Sequence, residues 1–195
     1  MKRKLFVLAS LAICIAIIAS GTLAYYTTED TAHNILTSNG VDIEIEEWQK
    51  QGEELVPYPK DEPIEIMPGI TVSKIAAIKN KAEESYIRAK LEVIIKDAEG
   101  NEMCISNETM VNIMTITMNE ERWLRKEGDV DWWYYDDAVA GNEVTKPLFT
   151  EVVFDGPNMT NEYQNCTVEV IVTAQAVQSA NNGEAVLTAD GWPEE

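Results

Sequence analysis

One histidine, His33, and three cysteines are all the imidazole and thiol groups in this 195-residue chain. A Ser–His or Cys–His catalytic pair would have to use His33. That residue lies in a polar stretch near the N-terminus, which holds catalytic geometry poorly. No nucleophile motif stands beside it, so it reads as an incidental polar residue. No HExxH occurs, which excludes the zinc-protease helix. Glycine-rich phosphate loops, dinucleotide fingerprints and basic stripes are also missing, so nothing nominates a cofactor or a metal. Positive charge is scarce: 15 Lys and Arg stand against 34 Asp and Glu, a net charge of −19. Such a surface repels nucleic acid and anionic lipid. It suits a solvated extracellular protein. No long helical period, internal repeat or linker interrupts the chain.

The N-terminus carries Lys2, Arg3 and Lys4, then an apolar run from Leu5 to Ala19, then small residues to Ala24. That order is a signal peptide over residues 1–24, cut between Ala24 and Tyr25, with Thr22 and Ala24 at the positions a signal peptidase reads. The apolar run is shorter than the ~20 residues of a spanning helix, so the membrane is met only before cleavage. Lipoprotein processing at Cys14 is disfavoured because Ile13 stands where a small residue is wanted. Removing the signal takes three basic and no acidic residues with it, so the exported part is more acidic still. It remains long enough for one domain with a core.

Residues 25–39 are polar and read as a flexible arm, residues 40–180 as one β domain, and residues 181–195 as an acidic tail. Val41 to Trp48 alternates apolar and acidic residues with a period of two, the mark of a half-buried strand. Residues 49–63, with Gly52, Pro57, Pro59 and Pro63, read as a loop. Thr71–Lys79, Tyr86–Lys96, Asp131–Tyr135, Val144–Phe154 (broken at Pro147) and Thr167–Gln178 read as strands. Met110–Asn119 fits a buried strand or a short helix, and its β-branched residues favour strand. Glu120–Lys126 suits a helical turn. Seven to nine short strands without a long helix predict an all-β fold: a single antiparallel jelly-roll or sandwich domain after an N-terminal signal helix.

Three groups of residues invite a functional reading. In Asp-Trp-Trp-Tyr-Tyr (131–135), alternation sets Trp132 and Tyr134 on one face and Trp133 and Tyr135 on the other. One face fills a core and the other lies on the sheet surface or an interface; the alternative is a candidate ligand platform of Trp132, Trp133 and Tyr135 for sugar rings. The nearby Asp129, Asp131, Asp136 and Asp137 offer hard oxygen ligands, but their spacing is not that of an EF-hand. Paired acids such as Glu46-Glu47 and Asp136-Asp137 are frequent enough in so acidic a chain to be a solvated surface. Cys104 and Cys166 survive signal removal; export permits a disulfide between them, and two buried thiols are the alternative. The sequons at Asn107, Asn158 and Asn165 have meaning only in a eukaryotic secretory pathway.

The junction GTLAYYTTEDTAHN resembles signal-peptide ends cut by the specialised signal peptidase SipW, with Gly21, Thr22, Ala24 and Tyr25 matching. The segment IMPGITVSKIAAIKNKAEESYIRAKLEV, Ile66 to Val93, is similar to the shared segment of that family, which includes the biofilm matrix protein TasA and the camelysins. PLFTEVVFDGP and VEVIVTAQAVQ look like parts of exported proteins from Gram-positive gut anaerobes. The resemblance implies a secreted, jelly-roll structural protein of matrix or surface fibres, with the signal peptidase and other matrix subunits as partners. Camelysins are described as surface metalloproteases; this chain departs from that activity through its single histidine, so no catalytic residue carries over. The chain therefore reads as a non-enzymatic secreted or cell-surface protein whose N-terminal arm adds as a strand to a neighbour. An exported carbohydrate- or surface-binding module is the alternative, with Trp123 beside the platform residues, and a camelysin-like protease the third.

Overall fold

The computed structural model describes residues 27–31, 34–35, 41–59 and 63–193. The expected signal peptide and its Ala24–Tyr25 junction, Cys14 and His33 lie outside the described residues. Among the described residues twelve strands occur in chain order: β1 (Thr27–Thr31), β2 (Asn34–Ile35), β3 (Ile43–Gln51), β4 (Glu54–Pro57), β5 (Ile64–Glu65), β6 (Thr71–Asn80), β7 (Ser85–Lys96), β8 (Met114–Met118), β9 (Trp123–Lys126), β10 (Asp129–Tyr135), β11 (Phe149–Phe154) and β12 (Thr167–Gln178). One short helix, α1 (Asn107–Ile113), precedes β8.

All pairings are antiparallel and make two sheets. The larger runs β2-β1-β12-β7-β10-β9, with β5 also on β12; the smaller runs β4-β3-β6-β11-β8. Their inner faces share one apolar core. β3 contributes Ile43, β6 Ala76 and Ile78, β7 Ile87 and Ala89, β11 Phe149, Val152 and Phe154, and β12 Val168, Val172 and Ala174. In β7 and β12 these are alternate residues, as the pleat requires. The spine of the larger sheet is β7 against β12, paired without a slip from Ser85↔Gln178 to Lys96↔Thr167. A register slip of one would turn the core residues of either strand to the other face.

The structure departs from the sequence expectation at several places. The strand expected over Val144–Phe154 is confined to Phe149–Phe154, with Val144 in an isolated bridge to Lys79. Met110–Asn119 is divided between α1 and β8: Ser106 Oγ accepts the N–H of Thr109 and caps the helix, and the chain turns extended at Met114. Glu120–Lys126 holds no helix; after a turn it becomes β9, with Trp123 buried in the core. The proline-rich stretch 49–63 contains the edge strand β4, whose Pro57 opposes Trp48 of β3. An edge tolerates proline because one side of the strand needs no donors. Finally, part of the arm is strand: Thr27–Thr31 pairs with β12 over Thr27↔Val177 to Thr31↔Thr173.

The connection from β10 to β11 follows β6 closely. Asn80 is fully buried, and its Nδ2 donates to the carbonyls of Glu83 and Val139, both at 2.7 Å, while its Oδ1 accepts from Ala82 N–H. Gly141 passes so near this turn that a Cβ there would lie 2.3 Å from the Ala82 carbonyl oxygen. No helix among the described residues is long and apolar enough to cross a membrane.

Candidate functional site

The aromatic run of β10 alternates as its sequence demands. Trp133 and Tyr135 enter the core between the sheets, while Trp132 and Tyr134 face the opposite side of the larger sheet. That outer side is covered. A second apolar cluster joins Trp132, Tyr134, Tyr86 and Val177 to Val186 and Ala189 of the C-terminal segment, with Leu187 and Trp192 packed against it. Residues 181–193 therefore form a strap across the sheet. The strap is closed on itself: Asn182 Nδ2 donates to the Asp190 carbonyl at 3.0 Å, and Asp190 N–H donates to Asn182 Oδ1 at 2.8 Å.

Under the strap lies Arg88, only 9% exposed. Tyr134, Arg88, Gln175 and Glu29 hold directly opposed register positions on β10, β7, β12 and β1. Arg88 Nε and Nη2 donate to Gln175 Oε1 at 2.9 and 2.6 Å, Nη1 donates to the Tyr134 hydroxyl at 3.2 Å, and Nη2 to the Pro193 carbonyl at 3.3 Å. Its guanidinium carbon is 4.2 Å from the Trp132 ring centre and 4.8 Å from that of Trp192. Two indoles and neutral oxygens thus hold the cation. Cation–π attraction strengthens where water is excluded. Gln175 is itself fully buried, and its Nε2 has no hydrogen-bond partner among the described residues.

Tyr134 donates its hydroxyl proton to Asp129 Oδ2 at 2.6 Å. Asp129 Oδ1 accepts the N–H groups of Asp131 and Trp132. Burial pushes the Asp129 carboxyl up, but the bonds from Tyr134, Trp132 and Asp131 and the field of Arg88 outweigh it and leave it below the ordinary value.

The candidate ligand platform of Trp132, Trp133 and Tyr135 is not an open surface: none of the three is more than 8% exposed. Trp132 is packed with the strap; Trp133 has the Arg125 guanidinium 3.9 Å from its ring centre; Tyr135 stands edge-on to Trp123 at 5.2 Å. Each ring is needed by the packing. Cys104 and Cys166 are both free, Cys104 exposed and Cys166 buried. In the extended segment beside β7, neighbouring residues face opposite ways: Met103 lies inward with its sulfur 3.7 Å from Cys166 Sγ, and Cys104 is exposed. No cluster of metal-ligating side chains occurs among the described residues.

The remaining functional feature is an edge. On its side away from β7, β12 pairs with β5 at Thr167 and Val168 and with β1 from Thr173 to Val177. Five residues of the polar N-terminal stretch thereby occupy the backbone groups of the central strand of the larger sheet. Sequence reasoning passed over this pairing because backbone hydrogen bonds leave no apolar pattern. The strap was equally hidden, since its anchors Val186, Ala189 and Trp192 are scattered among polar residues. No family model, curated protein or solved structure matches this chain.

Proposed function

We propose that this chain is a secreted structural protein of the TasA and camelysin type, with a jelly-roll form of the two-sheet fold, that assembles at the cell surface or in the extracellular matrix by exchange of its N-terminal strand. The observation that carries the reading is the pairing of Thr27–Thr31 with Thr173–Val177 on β12. A strand held at a sheet edge through its backbone is replaceable by the same strand of a neighbour, because the donors and acceptors are identical. Each subunit that lends its strand forward leaves its own edge for the next, and a heterologous contact of this kind continues into a filament. The acidic surface keeps the free subunits apart until that exchange occurs.

The test is light scattering with electron microscopy on protein beginning at Tyr25, compared with protein lacking residues 25–38. Filaments from the first and none from the second are expected. Assembly unchanged by the deletion overturns the reading. The sugar-binding alternative needs an exposed ring face, and the burial of Trp132, Trp133 and Tyr135 gives it no such support.

A further inference from the structure

β7 has a second edge, and part of it has no strand partner among the described residues. On the side away from β12, it pairs with β10 only from Arg88 to Lys90. Further along, the Met103 N–H donates to the Ile95 carbonyl and Lys96 bridges to Glu102. Between these, Leu91 to Ile94 has no strand partner on this side among the described residues. Backbone groups alternate sides along an antiparallel strand. Since Ile95 directs its carbonyl to this side, Leu91 and Val93 direct both their N–H and C=O groups there as well.

Next to it lies the start of β10. Its register shifts between Asp129 and Trp133. Asp129 satisfies the Asp131 and Trp132 N–H groups, and Arg125 Nη1 donates to the Val130 carbonyl. This irregularity, in the β10–β9 ladder, accompanies the stretch Leu91–Ile94 that has no strand partner on this side among the described residues. A groove of about 590 Å³ fills the gap, lined by Leu91 and Val93 of β7, Ile116 and Met118 of β8, and Trp133 and Arg125. Lys90, Glu92, Asn107, Val130 and Asp131 complete it.

Arg125 fits this groove to one kind of occupant. Its guanidinium is fixed over Trp133 and tied to Val130, yet it makes no ion pair with any carboxylate among the described residues. That is notable in a chain of net charge −19. Arg125 lies on the Trp133 side of the sheet, whereas Lys90 sets its amino group 5.2 Å from the Trp132 ring centre on the opposite side.

We propose that this groove is a docking slot for an extended acidic peptide segment of a partner protein. The segment adds as a short strand to Leu91 and Val93, drops an apolar side chain onto the half-buried Ile116 and Met118, and sets a carboxylate against Arg125. Main-chain bonds supply affinity and the side-chain positions supply selectivity. The slot is separate from the β12 edge and does not depend on strand exchange.

The experiment is fluorescence anisotropy with short labelled peptides alternating Val and Thr around one central residue, Glu or Lys, titrated with the purified chain. The Glu peptide is expected to bind at least about tenfold more tightly than the Lys peptide. Arg125→Glu, an exposed change, is expected to remove that preference while the far-ultraviolet spectrum stays unchanged. N-methylation of alternate peptide amides on the bonding edge is expected to abolish binding, and amide exchange of Leu91 and Val93 to slow with the Glu peptide bound. Equal binding of both peptides, indifference to Arg125→Glu or to N-methylation, or no binding overturns the proposal. So does a dimer that Arg125→Glu dissociates, because the occupant is then a second copy.

Discussion

Trp192, near the C-terminal end of the described chain, holds its ring centre 4.8 Å from the guanidinium carbon of Arg88 in the middle of the larger sheet. The contact joins the last turn of the chain to the strand that carries the core, and it fixes where the strap lies.

Trp192→Ala should therefore free the strap. A loss of about 1–2 kcal/mol is expected from the missing ring contacts with Arg88 and Tyr134. Urea midpoints measure the loss, and limited proteolysis should show new cuts within residues 181–193. Trp192→Phe should recover part of the stability and most of the protection.

Arg88→Ala should cost more than removal of a surface charge. It leaves Gln175 Oε1, fully buried, without its two donors, and an unsatisfied buried polar group costs about 1–3 kcal/mol. Arg88→Lys should rescue only part, because an ammonium lacks the planar fork that reaches Gln175, Tyr134 and the Pro193 carbonyl together. Differential scanning calorimetry of both variants checks this.

Acid should weaken the fold through Asp129. Its carboxyl sits below the ordinary value of 3.8 in the folded chain. The contribution is thus fully present above the unfolded value and is lost as pH falls through the lower folded one. Asp129→Asn should flatten that part of the profile of stability against pH. A variant profile parallel to the wild type would show that other carboxylates govern it.

Thiol chemistry should separate the two cysteines. Cys104 is exposed, whereas burial, with the nearby acids Asp97, Glu99 and Glu162, pushes the Cys166 thiol up. A thiol reagent at neutral pH should label Cys104 at once and Cys166 only after denaturant is added. A non-reducing gel should show no intrachain bridge.

Gly141→Ala should destabilise the turn beside Asn80. The added Cβ meets the Ala82 carbonyl oxygen at 2.3 Å, which only a backbone shift relieves. A loss of about 1–3 kcal/mol is expected, read as a lower melting temperature.

What the sequence made legible followed from side-chain pattern. The period of two in Tyr86–Lys96 and Thr167–Gln178 located β7 and β12 almost to the residue, and the Asp-Trp-Trp-Tyr-Tyr alternation assigned its rings to opposite faces as found. Three other features had no such pattern. Pro57 and Gly52 disguised the β3–β4 hairpin as a loop, because breakers at an edge look the same as breakers outside a sheet. Ser106 capped a helix too short to show its period. Arg88 looked like one more polar residue on an alternating strand; its burial depends on Trp132, Gln175 and Trp192, which converge only in the folded chain.

The pairing of Thr27 with Val177 also has a consequence in time. During synthesis the first strand emerges long before its partner, which belongs to the last long strand, so nearly the whole chain must follow before β1 has an edge to join. Contacts of such sequence separation form late and slowly. In every newly made copy the N-terminal strand is thus the first piece to appear and among the last to find its place. On the proposed strand exchange, a finished copy nearby would compete for it through that interval, and local crowding of subunits would set which one takes it.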